Sequence, residues 1–278
     1  MLATINGIRM AYSDSGAGEP VVLLVHGYPL NRSMWDPQLG VLRSIARVVA
    51  PDLRGFGASE AGPPGPLTMD QHADDLAALL EVLEIRVPVV FCGLSMGGYV
   101  GFAFWRRHGE RVGAFVLADT RAVPDTPEGV ARRHVIAAEA ELSQSSRPAI
   151  DDMLPRLFSP HLPLGKGALP EQLTLGMMRG SSARAVADGA RGLALRPDSV
   201  PDLPSIDVPT LVMVGEHDQL TVPADSELIA SRIPHARLVK IDQAGHMSNL
   251  ENPQAFNDAL VDFVRASGDA STDDHRAR

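Results

Sequence analysis

Five residues, Gly93-Leu94-Ser95-Met96-Gly97, stand where an apolar run of strand character gives way to a helical pattern. Residues 87–92, Val-Pro-Val-Val-Phe-Cys, read as a buried strand, and residues 96–108 carry apolar side chains at helical spacing. A side chain at the apex of so tight a strand-to-helix turn takes a strained backbone conformation. Its neighbours two positions away must be glycine for strand and helix to approach each other, and Gly93 and Gly97 meet that demand. The turn lifts the Ser95 hydroxyl out of the sheet edge. It also aims the Met96 N–H, at the helix N-terminus, toward any negative oxygen that forms there. Such geometry serves nucleophilic attack on an acyl carbon.

A serine hydroxyl needs a base to take its proton, and the base needs an acid to orient it. Of the nine histidines, His246 follows the last strand run and precedes the last helix, which puts it on a loop at the same sheet edge as Ser95. His235, His161, His134, His108 and His72 fall on helical stretches or between sheet elements and are expected to be solvated. The strand run 210–214 ends in Gly215-Glu216-His217-Asp218, again at that edge, and Asp218 is the expected acid. Glu216, and Asp119 at the end of the preceding strand, are its rivals. Ser95, Asp218 and His246 are expected to meet in hydrogen-bonding contact. A second oxyanion donor is expected from the turn His26-Gly27-Tyr28-Pro29, with the Tyr28 N–H beside that of Met96. His26 itself is expected to hold that turn, and Arg54, in Asp52-Leu53-Arg54-Gly55-Phe56-Gly57, to brace the site by pairing with a carboxylate.

These residues need a frame. Asn6-Gly7 is suited to a two-residue hairpin between residues 4–5 and 8–12. Strand runs at residues 21–25, 45–50, 87–92, 114–118, 210–214 and 237–241 alternate with helical stretches at 34–43, 69–83, 96–108, 223–232 and 253–265. Nearly all-apolar strands alternating with helices imply a mostly parallel eight-stranded sheet covered on both faces. Residues 121–200 break the alternation, with helical patterns near 126–142, 149–158, 169–178 and 183–195. The expected organisation is an α/β core over residues 1–120 and 201–266, a helical cap over 121–200, and a disordered tail at 267–278, which has no apolar residue beyond alanine. A cap there would lie over the strand C-termini, where open α/β sheets bind ligands. Its Met153, Leu154, Leu157, Phe158, Met177 and Met178 could form an apolar acyl pocket or simply pack. Arg156, Arg179 or Arg184 could instead hold a substrate carboxylate.

At 278 residues the chain can bury roughly three quarters of its unfolded surface. A formal charge of −9 without a Lys/Arg cluster argues against a nucleic-acid partner. The first residues lack a basic segment followed by an apolar one, and no apolar run approaches the roughly 18 residues that span a bilayer, so the expectation is a cytoplasmic protein without membrane attachment. The single cysteine, Cys92, excludes an internal disulfide and reads as inert core.

Together, His-Gly-Tyr-Pro, Asp-x-Arg-Gly-x-Gly-x-Ser, Gly-Leu-Ser-Met-Gly-Gly, Gly-Glu-His-Asp and Ala-Gly-His-Met resemble the α/β-hydrolase superfamily over residues 1 to about 266. The order Ser, Asp, His is also the one found there. Residues 52–60 and 91–98 are similar to bacterial oxoadipate enol-lactonases and related carboxylesterases. Residues 26–29 also resemble cofactor-free haloperoxidase and perhydrolase esterases, which usually carry tryptophan where this chain has Tyr28. Haloalkane dehalogenases and epoxide hydrolases share the His-Gly-x-Pro turn but use aspartate at the elbow, and Ser95 argues against both. The resemblance implies a hydrolase of carboxylic esters acting through an acyl-enzyme, with a small-molecule ester and water as partners and neither metal nor organic cofactor. A lactonase or perhydrolase on the same residues is the alternative, and a ligand-binding protein with vestigial chemistry a remote one. Oligomeric state is not legible.

Overall fold

A computed structural model describes residues 1–161 and 169–276, with side chains described as far as residue 268. The chain opens with β1 (Leu2–Ile5) and β2 (Ile8–Asp14), an antiparallel pair turned at Asn6 and Gly7, both with positive φ. This is the mirror-image turn that Asn-Gly favours. The remaining strands are β3 (Val21–Val25), β4 (Arg47–Pro51), β5 (Val89–Leu94), β6 (Val112–Ala118), β7 (Thr210–Gly215) and β8 (Arg237–Ile241). They form one sheet in the order β1-β2-β4-β3-β5-β6-β7-β8, parallel from β4 to β8. Every residue of β3, β5 and β7 is buried, as two covered faces require.

β1 and β6 each begin two residues earlier than expected, at Leu2 and Val112, while β5 and β4 begin two residues later for local reasons. β5 begins at Val89, after Pro88, which has no N–H to give a ladder. β4 begins at Arg47 because the Ile45 N–H is spent on the Leu42 carbonyl, 2.9 Å away, at the end of helix α1 (Asp36–Leu42). The other core helices are α2 (Met69–Val82) and α3 (Met96–His108).

Between β6 and β7 the chain forms α4 (Pro127–Ser143), α5 (Arg147–Leu157), α6 (Leu169–Gly180) and α7 (Ala183–Ala194). Helix α7 seats directly on the core: a Cβ on Gly189 would come within 2.9 Å of the Phe56 and Tyr28 rings, so only glycine permits that depth of contact. After β7 come α8 (Pro223–Arg232), the short α9 (Ser248–Glu251) and α10 (Pro253–Arg276). The tail expected to be disordered thus continues α10 as far as Arg276, while residues 277–278 lie outside the described residues. After Pro253 no proline interrupts the helix, and extending an existing helix is far easier than starting one. Among the described residues no helix is long and apolar enough to cross a membrane.

Strand register sets the site. Val25 lies opposite Gly93 and Leu94 opposite Ala118, so β3, β5 and β6 end level and their following loops meet. The Ser95 N–H bonds the Ala118 carbonyl at 2.9 Å and the Asp119 N–H bonds that of Met213 at 2.9 Å, which carries the same level across to β7.

Candidate active site

Ser95 holds φ 56° and ψ −115°, a region that L residues avoid, and it is held there from both sides. A Cβ on Gly93 would collide with the Gly97 carbonyl, and one on Gly97 with the Val25 carbonyl, so the elbow and the first turn of α3 lie flat against β3. Gly27 is close as well: its Cβ position is 3.3 Å from the Ser95 Cβ. The motif is therefore a packing requirement as much as a chemical one.

Ser95, Tyr28, Met96 and His246 line one cavity of about 230 Å³. Among the described residues, neither the Tyr28 nor the Met96 backbone N–H has a hydrogen-bond acceptor, and both are available to a ligand oxygen. The Tyr28 side chain is fixed elsewhere, its hydroxyl donating to the Val186 carbonyl on α7 at 2.9 Å. Burial pushes its phenol well above the usual range.

His246 is 2% exposed, with Nδ1 2.8 Å from Oδ2 of Asp218. Asp218 is itself saturated with donors. Its Oδ1 accepts the N–H groups of Leu220 (2.8 Å) and Thr221 (3.0 Å), and its Oδ2 accepts the Thr221 hydroxyl at 2.7 Å. Burial raises the Asp218 carboxyl, but the charge of His246 and the bonds from His246 and Thr221 outweigh it and hold the group below the usual carboxylate range. An ionised acceptor at Nδ1 leaves Nε2 of the neutral ring as the basic nitrogen. Among the described residues no hydrogen bond joins His246 to the Ser95 hydroxyl, unlike the three-way contact expected from sequence. Such bonds are commonly long in ligand-free enzymes and tighten around substrate.

The loop bearing His246 is anchored by residues that carried no motif. Its N–H bonds the Leu157 carbonyl at the end of α5 at 3.0 Å. The Glu251 carboxylate accepts the N–H groups of Ser159 (2.7 Å), Gly245 (3.0 Å) and Met247 (3.2 Å). Asp119, the rival acid, does not reach the imidazole. It accepts the Gly215 N–H at 2.8 Å and the Ser248 hydroxyl, so one buried carboxyl ties the strand end before Asp218 to the helix after His246. Burial and the nearby Asp218 charge push it well above the ordinary range. Glu216 is not among the partners of His246; its carboxylate lies 3.9 Å from Nε2 of His217. Thr221 had a legible signal, since Asp-x-x-Thr suits a side-chain-capped turn.

His26 engages the backbone with both ring nitrogens, Nδ1 with the Gly27 carbonyl and Nε2 with the Leu53 N–H, each at 2.9 Å. Burial lowers its pKa. Arg54 forms a two-pronged pair with buried Asp75, both contacts 2.7 Å, beneath the turn that follows β4. Cys92 is buried in β5, where burial pushes its thiol up.

Three expectations need correction. His72 is fully buried rather than solvated, and neither ring nitrogen has a hydrogen-bond partner among the described residues. It sits on α2 with Met69, Ala73 and Leu76, positions that share one helical face. Arg179 and Arg184 do not line the cavity. Arg179 is exposed on α6, and Arg184 is spent on Asp188 at 3.2 Å and on the Gly62 carbonyl at 2.6 Å. Of the three arginines considered, only Arg156 lines the cavity, joined by Arg121, Arg132 and Arg133. His134, His161 and His235 are exposed as expected, and His108 is half-buried against Asp74 at 2.9 Å. Met177 and Met178 are buried, and Met153 lines the cavity. Among the described residues no three metal-ligating side chains converge.

The α/β-hydrolase fold family model matches residues 20–253. The chain is 32% identical to 3-oxoadipate enol-lactonase 2 of Acinetobacter baylyi over 92% of its own length and 93% of that protein's. In structure it resembles a thermophilic esterase from Thermogutta terrifontis, with TM-score 0.91 and 38% identity, covering 96% of this chain and 98% of that one. It also resembles the enol-lactonase from Burkholderia xenovorans, with TM-score 0.86 and 32% identity, covering 95% and 100%. By sequence pattern, sheet order and family match, this chain is a member of the α/β-hydrolase fold family.

Proposed function

We propose that the protein hydrolyses carboxylic esters through an acyl-enzyme on Ser95. The observation that carries this reading is the convergence on one small cavity of a strained serine, a His246 whose far nitrogen is bound to Asp218, and two unused backbone N–H groups. His246 Nε2 takes the Ser95 proton as Oγ bonds to the ester carbonyl carbon. The Tyr28 and Met96 N–H groups hold the oxyanion, each worth about 10²- to 10³-fold in turnover. Asp218 stabilises the imidazolium, which then returns its proton to the departing alkoxide. Water, deprotonated by the same imidazole, attacks the acyl-enzyme and releases the acid. Helices α4, α5 and α7 act as a cap that roofs the cavity and keeps bulk water from it.

A specific observation favours a second reading within this chemistry, a lactone or ester that carries a carboxylate. The cavity wall holds four arginines, Arg121, Arg132, Arg133 and Arg156, against two aspartates, Asp125 and Asp152, in a protein whose net charge is −9. Such a surplus of cations attracts an anionic substrate. The malate-bound state of the Thermogutta relative, a dicarboxylate complex, is consistent with that preference.

Turnover of short p-nitrophenyl esters is compared between the wild type and Ser95→Ala, alongside carboxylated lactones. Loss of turnover in the variant supports the reading, and unaltered turnover overturns it. A ligand-induced thermal shift without product release would instead indicate a binding protein.

A further inference from the structure

The cavity above Ser95 is not the only concavity formed by α4 and α5. An open groove of about 960 Å³ runs along the outer side of the same helix pair, and three side chains, Arg132, Ile136 and Asp152, line both spaces. At this seam the two spaces are bounded by the same side chains.

The inner cavity is small. Its 230 Å³ falls below the roughly 300–1,000 Å³ usual for ligand pockets, so it holds the reacting carbonyl and a short substituent. A longer chain must extend beyond this space, and the seam offers it an exit that is built to yield. Arg132 closes it by pairing with Asp152, yet the Arg132 side chain is 62% exposed while that of Asp152 is 8% exposed. An ion pair with so exposed a cation is weakly held, and the long arginine side chain can swing into water. Asp152 is not stranded when it does, because Arg156 also approaches it, at 3.4 Å. Outside the seam the groove offers apolar Val135, Leu142 and Pro148, of which Val135 is 54% and Leu142 86% exposed, beside the charged Glu139, Arg147 and Asp151. Methylene groups can cover that surface.

We propose that this outer groove is the subsite for the far end of an unbranched acyl chain and that Arg132 sets the chain length accepted. The proposal rests on the ester reading above. An acyl group stays on the enzyme through both chemical steps, so it, rather than the alcohol, requires a lasting place. Each methylene laid on apolar surface is worth about fourfold in affinity.

The test is the ratio of kcat/KM for p-nitrophenyl decanoate to that for the acetate, measured in wild type, Arg132→Ala and Val135→Asp. Opening the seam should raise the ratio at least tenfold, and a charge in the groove should lower it at least fivefold. A ratio unmoved by both substitutions overturns the proposal. Calorimetric binding of decanoate and of acetate to wild type and Val135→Asp gives a readout that needs no turnover. The proposal requires decanoate binding to weaken in the variant relative to acetate, and equal binding in both proteins refutes it. Absence of ester turnover in the wild type, with decanoate binding still sensitive to Val135→Asp, would instead refute the ester reading and leave the groove standing.

Discussion

Replacing His72 by leucine should flatten the loss of stability in acid. His72 is wholly buried, touches the Phe56 ring at 6.4 Å between centroids, and has no hydrogen-bond partner for either nitrogen among the described residues. Burial, with the charges of His26 and Arg54 adding to it, pushes its pKa from 6.5 down to about 3. Between those values the unfolded chain binds the proton and the folded protein does not. The stabilisation is therefore complete above the unfolded pKa and drains away as pH falls, at about 1.4 kcal/mol for each pH unit. From pH 7 to pH 4.5 this one residue should remove about 2.5 kcal/mol. His26, also lowered by burial, acts in the same direction. Leucine fills a similar volume, does not titrate, and removes two unpartnered polar atoms, so at pH 7 the variant should be more stable by about 1–3 kcal/mol. Urea unfolding of both proteins at pH 7 and pH 4.5 measures the four free energies required. Equal acid losses in wild type and His72→Leu would refute the reasoning.

Other outcomes follow from the same geometry. Asp218→Asn keeps the shape of the loop but removes the acceptor that fixes the imidazole tautomer, and it should lower kcat for p-nitrophenyl acetate by about 10⁴-fold with little change in circular dichroism. Gly97→Ala would press a methyl group onto the Val25 carbonyl. It should cost turnover and lower Tm together, whereas a purely chemical role for the motif would leave Tm unchanged. Asp75→Ala leaves Arg54, whose side chain is only 4% exposed, without its carboxylate. The expected loss is about 3–5 kcal/mol in chemical denaturation, and Arg54→Met with Asp75→Leu should recover part of it.

How far the chain can be read without coordinates depends on what each feature requires. Strand 21–25 was legible to the residue because apolar side chains buried on both faces leave no freedom of assignment, whereas the edge strand 237–241, in which only Ile241 is buried, was legible from the apolar residues Leu238, Val239 and Ile241. Ser95, Asp218 and His246 were legible because each follows a strand run, and parallel strands deliver their ends to one edge. What escaped depends on rotation about helix axes and on loop conformation. His72 shares a face with Met69, Ala73 and Leu76, so its burial was implied by spacing, but a polar side chain on an apolar face reads ambiguously. Arg156 and Arg184 look alike in sequence, and only the packing of α5 and α7 turns one toward the cavity and the other toward Asp188. Asp119 read as a possible partner of His246. The register of β6 against β7 instead brings it to the Gly215 N–H and Ser248.

The central claim is that the acyl group passes through Ser95. Rapid quenching of the protein with a slowly deacylating p-nitrophenyl ester, followed by intact-mass and peptide-mass spectrometry, tests it directly. The account predicts one added acyl mass per chain, located on the peptide containing Ser95 and absent from Ser95→Ala. An acyl group on any other residue, or steady turnover with no adduct in the wild type and undiminished rate in the variant, would contradict it.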